Sequence, residues 1–329
     1  MLRTRSLVVG VAAAVTGAVL LIVALGVGTF PVAPGDVVGV LIGANDDALM
    51  QTVVREWRLP RALAALGVGA LFGIAGALFQ TVTRNPLASP DVLGLSSGAF
   101  TGMLITLVAV SASWPAPVAG SFVGALATAA VIWLLAWRGG LQGFRLIVVG
   151  IGVAAMLSSL NTWMLLQIEL ETAMFASAWG TGSLNGVTAA PVAGALACAL
   201  PFVIAAFALT PRLRQLELGD DLAAATGARP NLVRTLALLV GVVLVAAATT
   251  VGGPIAFVAL AAPQLGRLLA RTPHLSLGLS ALVGAVLLLA SDLVAQHVLP
   301  HPLPVGVVTV SIGGAYLVLM IVLEVRRRA

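Results

Sequence analysis

Residues 58–98 have the sequence RLPRALAALGVGALFGIAGALFQTVTRNPLASPDVLGLSSG, the most informative stretch of the chain. Its apolar run of about 20 residues is long enough to cross a bilayer as a helix. The run is bracketed by Arg58-Leu59-Pro60-Arg61 and by a second polar stretch from Arg84 to Asp91 that contains two prolines. A membrane anchor needs only the apolar run, so the brackets point to a membrane protein that handles a substrate.

The composition extends this interpretation to the whole chain. Of 329 residues, 60% are hydrophobic and 9% are charged, and the mean hydropathy is +1.10. A soluble domain of this size needs far more charge for its surface. We therefore expect an all-α polytopic membrane protein that forms a single transmembrane domain over residues 1–329. Apolar runs predict ten spans, near residues 7–29, 60–80, 92–111, 117–137, 146–167, 189–209, 232–251, 255–270, 277–295 and 304–323.

Two alternatives bear on the number of spans. Gly252-Gly253-Pro254 barely separates two apolar runs, which leaves eight or nine spans possible. The first run resembles a signal peptide in its two preceding arginines. It extends from Leu7 to Phe30, however, and exceeds the roughly 7–15 apolar residues of such a signal. We interpret it as the first span.

The arginines predict the orientation. All 17 basic residues are arginine, and basic residues favour the cytoplasmic side of membrane proteins. With ten spans and both termini in the cytoplasm, only Arg55, Arg58 and Arg61 lie outside. The others lie inside: Arg3, Arg5, Arg84, Arg138, Arg145, Arg212, Arg214, Arg229, Arg234, Arg267, Arg271 and Arg326 to Arg328. The predicted location is the cytoplasmic membrane.

The missing residue types exclude several activities. Without lysine the chain has no Walker A loop, whose lysine contacts the nucleotide phosphates, so any ATP that drives it must bind to another chain. The three histidines show no metal-ligand spacing, and no nucleophile–base constellation is evident. We therefore expect neither an enzyme nor a metal site, and no nucleic-acid partner.

Three features could serve transport, and each has a plainer interpretation. The outer arginines could dock an acidic partner bidentately, or could reach towards lipid headgroups. The inner connection 211–230 could present a short helix to a cytoplasmic motor subunit, or could be an ordinary solvated loop. That helix would have Asp220 and Asp221 in its first turn and Gly227 at its end.

The proline break at Arg84–Asp91 could line a substrate path, or could be a plain turn between helices. A second break at Gly252–Pro254 gives a weak hint of an inverted repeat.

The spans hold no ionisable residue near their centres, which argues against an ion-coupled secondary transporter. Their polar groups are neutral and could either line a wide passage or join helices by hydrogen bonds. The candidates for the path are Ser158, Ser159, Asn161, Thr162 and Thr309, with Ser311 nearby.

The chain resembles a known family over nearly its whole length, the FecCD/BtuC-type permease subunits of bacterial ABC importers for iron–siderophores, haem and cobalamin. The resemblance rests on spaced motifs: Arg58-Leu59-Pro60-Arg61, Gln80, Asn85-Pro86-Leu87-Ala88, Pro90, Leu93-Gly94, Trp179, Gly182-Ser183-Leu184, Leu218-Gly219 to Gly227, residues 253–258, Pro263, Arg267 and residues 303–309.

The resemblance implies ten spans and an assembly. Two permease subunits, identical or homologous, would combine with two cytoplasmic ATPase subunits and an extracytoplasmic substrate-binding protein, surrounded by membrane lipid. No cofactor is expected in this chain, because ATP and Mg would bind to the ATPase subunits. The substrate implied is a ferric siderophore, with cobalamin or haem as the alternative.

The resemblance also implies residue roles. Arg58 and Arg61 would receive acidic residues of the binding protein, whereas Gln296 stands where the cobalamin permease has a further docking arginine. Gln264 stands where many members have histidine. The segment that seats in the ATPase would comprise Leu218, Gly219, Asp220, Asp221 and Gly227. The inner gate would comprise Asn85, Leu87, Gly143 and Phe144, and Phe144 makes its closure apolar.

Overall fold

The computed structural model describes residues 2–91, 93–110, 115–137 and 143–328, and within these ranges every regular element is helical. The elements are α1 (Leu2–Gly26), α2 (Pro34–Ile42), α3 (Ala48–Gln51), a π-helical segment (Thr52–Arg58), α4 (Leu59–Thr83), α5 (Leu95–Ala109), α6 (Ala116–Ala136), α7 (Gly143–Gln167), α8 (Leu170–Gly180), α9 (Ala189–Glu217), α10 (Asp220–Ala225), α11 (Pro230–Gly252), α12 (Val258–Ala270), α13 (Leu277–His297) and α14 (Val305–Arg328). The predicted inner arginine Arg138 lies outside the described residues.

The all-α membrane fold is confirmed. Among the described residues, 7 helical stretches are long and apolar enough to cross a membrane, and α5, α12 and α14 contribute shorter apolar helices. Together they coincide with the ten predicted runs. The other helices are short pieces between spans, which the hydropathy pattern did not predict.

Helix α4 forms the centre of the bundle, and glycine lets α13 pack directly against it. A Cβ atom on Gly69 would lie 2.3 Å from the carbonyl oxygen of Gly284. One on Gly73 would lie 2.1 Å from that of Ser280. Neither position accepts a larger side chain without moving the backbone. The G-x-x-x-G pair therefore serves close helix packing, as small residues do in membranes.

Both predicted breaks are present. Helix α4 ends at Thr83, and Arg84 adopts a left-handed conformation with φ 50°. Helix α5 begins only at Leu95, after Pro86 and Pro90. Helix α11 ends at Gly252, and α12 begins at Val258 after Phe257 at φ 68°.

The predicted inner connection is shorter than expected. Helix α9 continues through Pro211 to Glu217, so the loop predicted from residue 211 begins seven residues later. Proline inside a helix costs a hydrogen bond. Here the extension buries Leu213 and Leu216, which are 4% and 1% exposed, and this apolar burial offsets the cost.

Candidate translocation site

A cavity of about 560 Å³, lined by apolar side chains and by neutral polar ones, lies between α5, α7, the turn after α8 and the start of α14. Three of the predicted path residues line it: Ser158, Asn161 and Thr162. Ser311 also lines it. The chain thus brings neutral hydroxyl and amide groups from several helices onto one cavity wall. That these residues form a translocation path remains a prediction.

Two predicted path residues lie elsewhere. Thr309 is 3% exposed and donates to the carbonyl oxygen of Gly306 at 3.0 Å, away from the cavity lining. Ser159 is exposed, donates to the carbonyl oxygen of Ala155 at 3.0 Å and is not a lining residue.

Asn161 combines the two roles that the sequence left open. Its Nδ2 donates to the carbonyl oxygen of Ser97 at 3.1 Å, and its Oδ1 accepts from Thr101 Oγ1 at 2.7 Å. These bonds join α7 to α5 while the residue still lines the cavity. Buried neutral amides often join helices in this way.

Sequence reasoning missed several lining residues. Ser96 and Ser97 open α5, and Thr181 follows α8. Only their position beside recognised motifs could have indicated them. Ser96 and Ser97 follow the first break, and Thr181 lies between Trp179 and Gly182. Hydropathy gave no reason to select them as path residues.

One wall of the cavity is a hydrogen-bonded segment rather than a span. The amide of Gly306 donates to the carbonyl oxygen of Gly182 at 2.9 Å, and the amide of Ser183 donates to that of Gly252 at 2.8 Å. The turn after α8 is thereby fixed both to the end of α11 and to the start of α14. Irregular backbone of this kind is tolerated at membrane depth where it lines a cavity.

Asp91 joins the two breaks, a role that the sequence did not reveal. Its carboxylate accepts from Ser89 Oγ and Ser96 Oγ, each at 3.1 Å. It also accepts from the backbone amide of Phe257 at 3.3 Å. One side chain therefore ties the start of α5 to the start of α12, and Ser96 and Pro254 on either side line the cavity.

At the end of the bundle where α4 begins, the predicted docking arginines have partners within the chain. Arg58 donates to the carbonyl oxygens of Leu25 at 2.7 Å and Phe30 at 2.6 Å. Arg61 forms a bidentate salt bridge with Asp292, in which Nε donates to Oδ2 at 2.8 Å and Nη2 donates to Oδ1 at 2.7 Å. The guanidinium groups of both arginines are therefore already hydrogen-bonded within the chain.

A polar network continues from Arg61. Its Nη1 donates to Asn185 Oδ1 at 2.7 Å, and Gln296 Nε2 lies 3.4 Å from the same oxygen. A cleft of about 700 Å³ is lined by Arg58, Arg61, Asp292 and Gln296, among other residues. Docking at Arg58 and Arg61 remains a prediction.

At the other end of the bundle, which we call the α10 end, Asp220 forms a second charged network. Its Oδ1 accepts from Arg84 Nη2 at 2.7 Å and from Arg234 Nη2 at 2.5 Å. The hydrogen bond from Arg234 is the main reason that the pKa of Asp220 lies below its usual value. Asp220 thereby connects α10 to the end of α4 and the start of α11.

The predicted short helix is confirmed as α10. Asp220 and Asp221 occupy its first turn, and Gly219 and Gly227 flank it with φ of 110° and 85°. Leu218 and Leu222 are 63% and 57% exposed, so an apolar surface lies on this otherwise polar segment.

The predicted gate residues lie near the same end. Asn85 Oδ1 accepts from the amide of Leu87 at 3.0 Å and shapes the turn after α4. The side chains of Leu87 and Phe144 are 53% and 81% exposed, and Gly143 is the first residue of α7. Their role as a gate remains a prediction.

Gln264, which stands where many members have histidine, is a buried structural link. Its Nε2 donates to Gln80 Oε1 at 2.6 Å, and Gln80 donates to the carbonyl oxygen of Leu260 at 3.0 Å. The described residues hold no group of three or more metal-ligating side chains.

A bundle of apolar helices with an uncharged cavity on one side and charged networks at both ends is the architecture of a multi-spanning membrane protein of the transport class. The chain belongs to the FecCD transport family, whose sequence model matches residues 12–323.

The curated relatives are permeases. The chain is 49% identical over 280 residues to the ferric enterobactin transport system permease protein FepG of Escherichia coli (strain K12), covering 85% of each protein. It is 32% identical to the probable siderophore transport system permease protein YfhA of Bacillus subtilis (strain 168), covering 92% of this chain and 91% of that one.

The fold is shared with a solved structure of a metal-chelate type ABC transporter in an inward-facing conformation. The TM-score is 0.84 at 24% identity, and the match covers 95% of this chain and 98% of that one.

Proposed function

We propose that this chain is the transmembrane permease subunit of an ATP-driven importer of ferric siderophores. The observation that carries the proposal is the neutral cavity of about 560 Å³ in a FecCD family member. Both curated relatives described above are named for siderophore or ferric enterobactin transport, which favours an iron chelate over cobalamin or haem.

A second permease subunit would complete the path. Ser158, Thr162 and Ser311 line the cavity and are also exposed, so one side of the cavity is open at the surface of α7 and α14. The hydroxyls of Thr162 and Ser311 donate to the carbonyl oxygens of Ser158 and Val307 in their own helices, at 3.0 and 2.9 Å. A bilayer would still present hydrocarbon, with no hydrogen-bond partner, to the rest of this open side. A second permease, identical or homologous, would instead enclose a passage between two such walls.

ATP would be bound and hydrolysed, with Mg, by separate cytoplasmic subunits. The exposed Leu218 and Leu222 of the α10 segment provide an apolar surface for such a subunit. In this assembly the α10 end, and with it both termini, would lie in the cytoplasm. An extracytoplasmic binding protein would dock at the opposite end, at the cleft that Arg58 and Arg61 line.

The contacts suggest how ATP hydrolysis would reach the cavity. A movement of α10 would displace Arg84 and Arg234 through their salt bridges with Asp220. These arginines lie at the end of α4 and the start of α11, the two helices that lead into the breaks. Asp91 joins the breaks beside the cavity wall. Tilting α4 and α11 would therefore reshape the cavity between outward-open and inward-open states.

A blocked cavity tests the proposal. Ser158→Trp should place an indole in the cavity and reduce gene-dependent uptake of radioactive iron, supplied as a ferric siderophore, to background. Ser159→Trp is the matched control, because Ser159 is the neighbouring residue and does not line the cavity. Full uptake by the Ser158 variant at normal protein levels would contradict translocation through this cavity.

A further inference from the structure

A second cavity, apolar and separate from the path, lies among α4, α5, α6, α7 and α11. Its volume is about 390 Å³, and every lining residue except Thr235 is apolar. Three lining residues mark its position near the α10 end: Phe79 near the end of α4, Leu93 just before the start of α5, and Leu146 near the start of α7. An apolar cavity of this kind does not hold water stably.

The depth of this cavity matches one leaflet of a bilayer. Along α11 its lining extends from Thr235 to Val243, eight helical steps that rise by about 12 Å at about 1.5 Å each. The hydrocarbon core is about 30 Å thick, so one leaflet contributes about half of that. The cavity thus runs from the membrane surface towards the midplane. It opens to the surface of the bundle, where Ala130 and Leu239 are exposed.

Trp133 lines the surface end of the cavity, and two arginines directly precede lining residues without lining the cavity themselves. Arg145 directly precedes Leu146, and its Nη1 is enclosed without a hydrogen-bond partner among the described residues. Arg234 precedes Thr235 but is held by Asp220. Trp133 lines the cavity, and its ring centroid lies 5.0 Å from that of Trp137. Such aromatic residues are typical of the membrane interface.

We propose that this cavity binds one acyl chain of an anionic phospholipid whose phosphate pairs with Arg145. The chain fills the apolar space to the midplane, and Thr235 and Trp133 lie at the level of the glycerol backbone. A phosphate oxygen satisfies the guanidinium by a charge-assisted hydrogen bond once the Arg145 side chain turns towards the headgroup. This site does not depend on the proposed substrate.

Native mass spectrometry of the purified full chain tests the site with two probes, phosphatidylglycerol and phosphatidylcholine with the same acyl chains. The wild-type protein should retain one tightly bound phosphatidylglycerol. Arg145→Gln should weaken that binding about tenfold, the usual size of a lost charge-assisted bond, and leave phosphatidylcholine binding unchanged. Ala130→Phe should fill the cavity and weaken the binding of both lipids.

Arg212→Gln is the matched control, because Arg212 is an exposed arginine on α9 near the same end, whereas Arg145 directly precedes the lining residue Leu146. It should retain phosphatidylglycerol as the wild type does. Equal retention by Arg145→Gln and Arg212→Gln would overturn the assignment of the headgroup. Lipid retention unchanged by Ala130→Phe would overturn the acyl-chain site. None of these outcomes bears on iron uptake.

Discussion

The two ends of the bundle use the same chemistry, an aspartate held by arginine, in opposite surroundings. Near the start of α4, Asp292 is 7% exposed in its side chain and Arg61 is 22% exposed. At the α10 end, Asp220 is 46% exposed and its partner Arg84 is 45% exposed. Burial decides the energetic consequences of losing a partner, because a buried ion left alone cannot regain its hydration. The first pair fixes structure, whereas the second can exchange partners.

The largest expected effect is the loss of the buried carboxylate. Asp292→Asn leaves the Arg61 guanidinium without its counter-ion and should lower the free energy of unfolding by about 3 kcal/mol or more. Asp220→Asn should cost at most about 1 kcal/mol, because exposed ion pairs contribute little. Thermal unfolding of both purified variants in the same detergent measures the difference. Equal losses would show that burial does not distinguish the two ends.

Replacing both Arg61 and Asp292 should distinguish their contribution to stability from the proposed role of Arg61 in docking. Replacing a buried ion pair by apolar residues of similar volume is often neutral. Arg61→Met combined with Asp292→Leu should therefore recover most of the stability that Asp292→Leu alone loses. If Arg61 docks the binding protein, the double variant should still lose stimulation by that protein. A double variant as unstable as the single one would mean that the two residues are not energetically coupled.

The exposed network should matter for coupling more than for stability. Asp220→Arg would repel Arg84 and Arg234, detach α10 from α4 and α11, and reduce siderophore uptake at least about tenfold. Asp221→Arg introduces the same charge change one residue along and should have a smaller effect, since the described contacts of the network run through Asp220. Equal loss in both variants would assign the effect to the charge of the ATPase-facing surface instead.

The smallest effect concerns pH. Because Arg234 and Arg84 lower the pKa of Asp220 in the folded protein, its stabilising contribution is present above the ordinary aspartate value of about 3.9. That contribution is lost as pH falls through the lower folded value. The difference in melting temperature between wild type and Asp220→Asn should therefore stay constant from about pH 8 to about pH 5 and narrow only in stronger acid. A difference that disappears near pH 6 would contradict the assignment to Asp220.

The sequence predicted the features that depend on local chemistry. Prolines and glycines located both breaks, and two acidic residues followed by Gly227 located α10. The contacts that join distant segments could not be predicted. Arg61 and Asp292 lie 231 positions apart, and hydropathy cannot show that the start of α4 meets the end of α13.

The sequence also could not predict which side of an apolar helix faces the cavity. Thr309 and Ser311 lie two residues apart on α14, which is about 200° around a helix of about 3.6 residues per turn. One is buried and the other lines the cavity. Because α14 is apolar on all sides near these residues, no amphipathic pattern distinguishes the two faces. Asp91 was missed for the other reason, because its contact with Phe257 joins segments 166 positions apart.

The most direct test of the account is uptake of radioactive iron as a ferric siderophore in cells with and without this gene, with an ionophore that collapses ion gradients while ATP is maintained. The account predicts gene-dependent uptake that persists with the ionophore. Gene-dependent uptake that stops when the gradients collapse would contradict an ATP-driven importer and favour an ion-coupled secondary transporter.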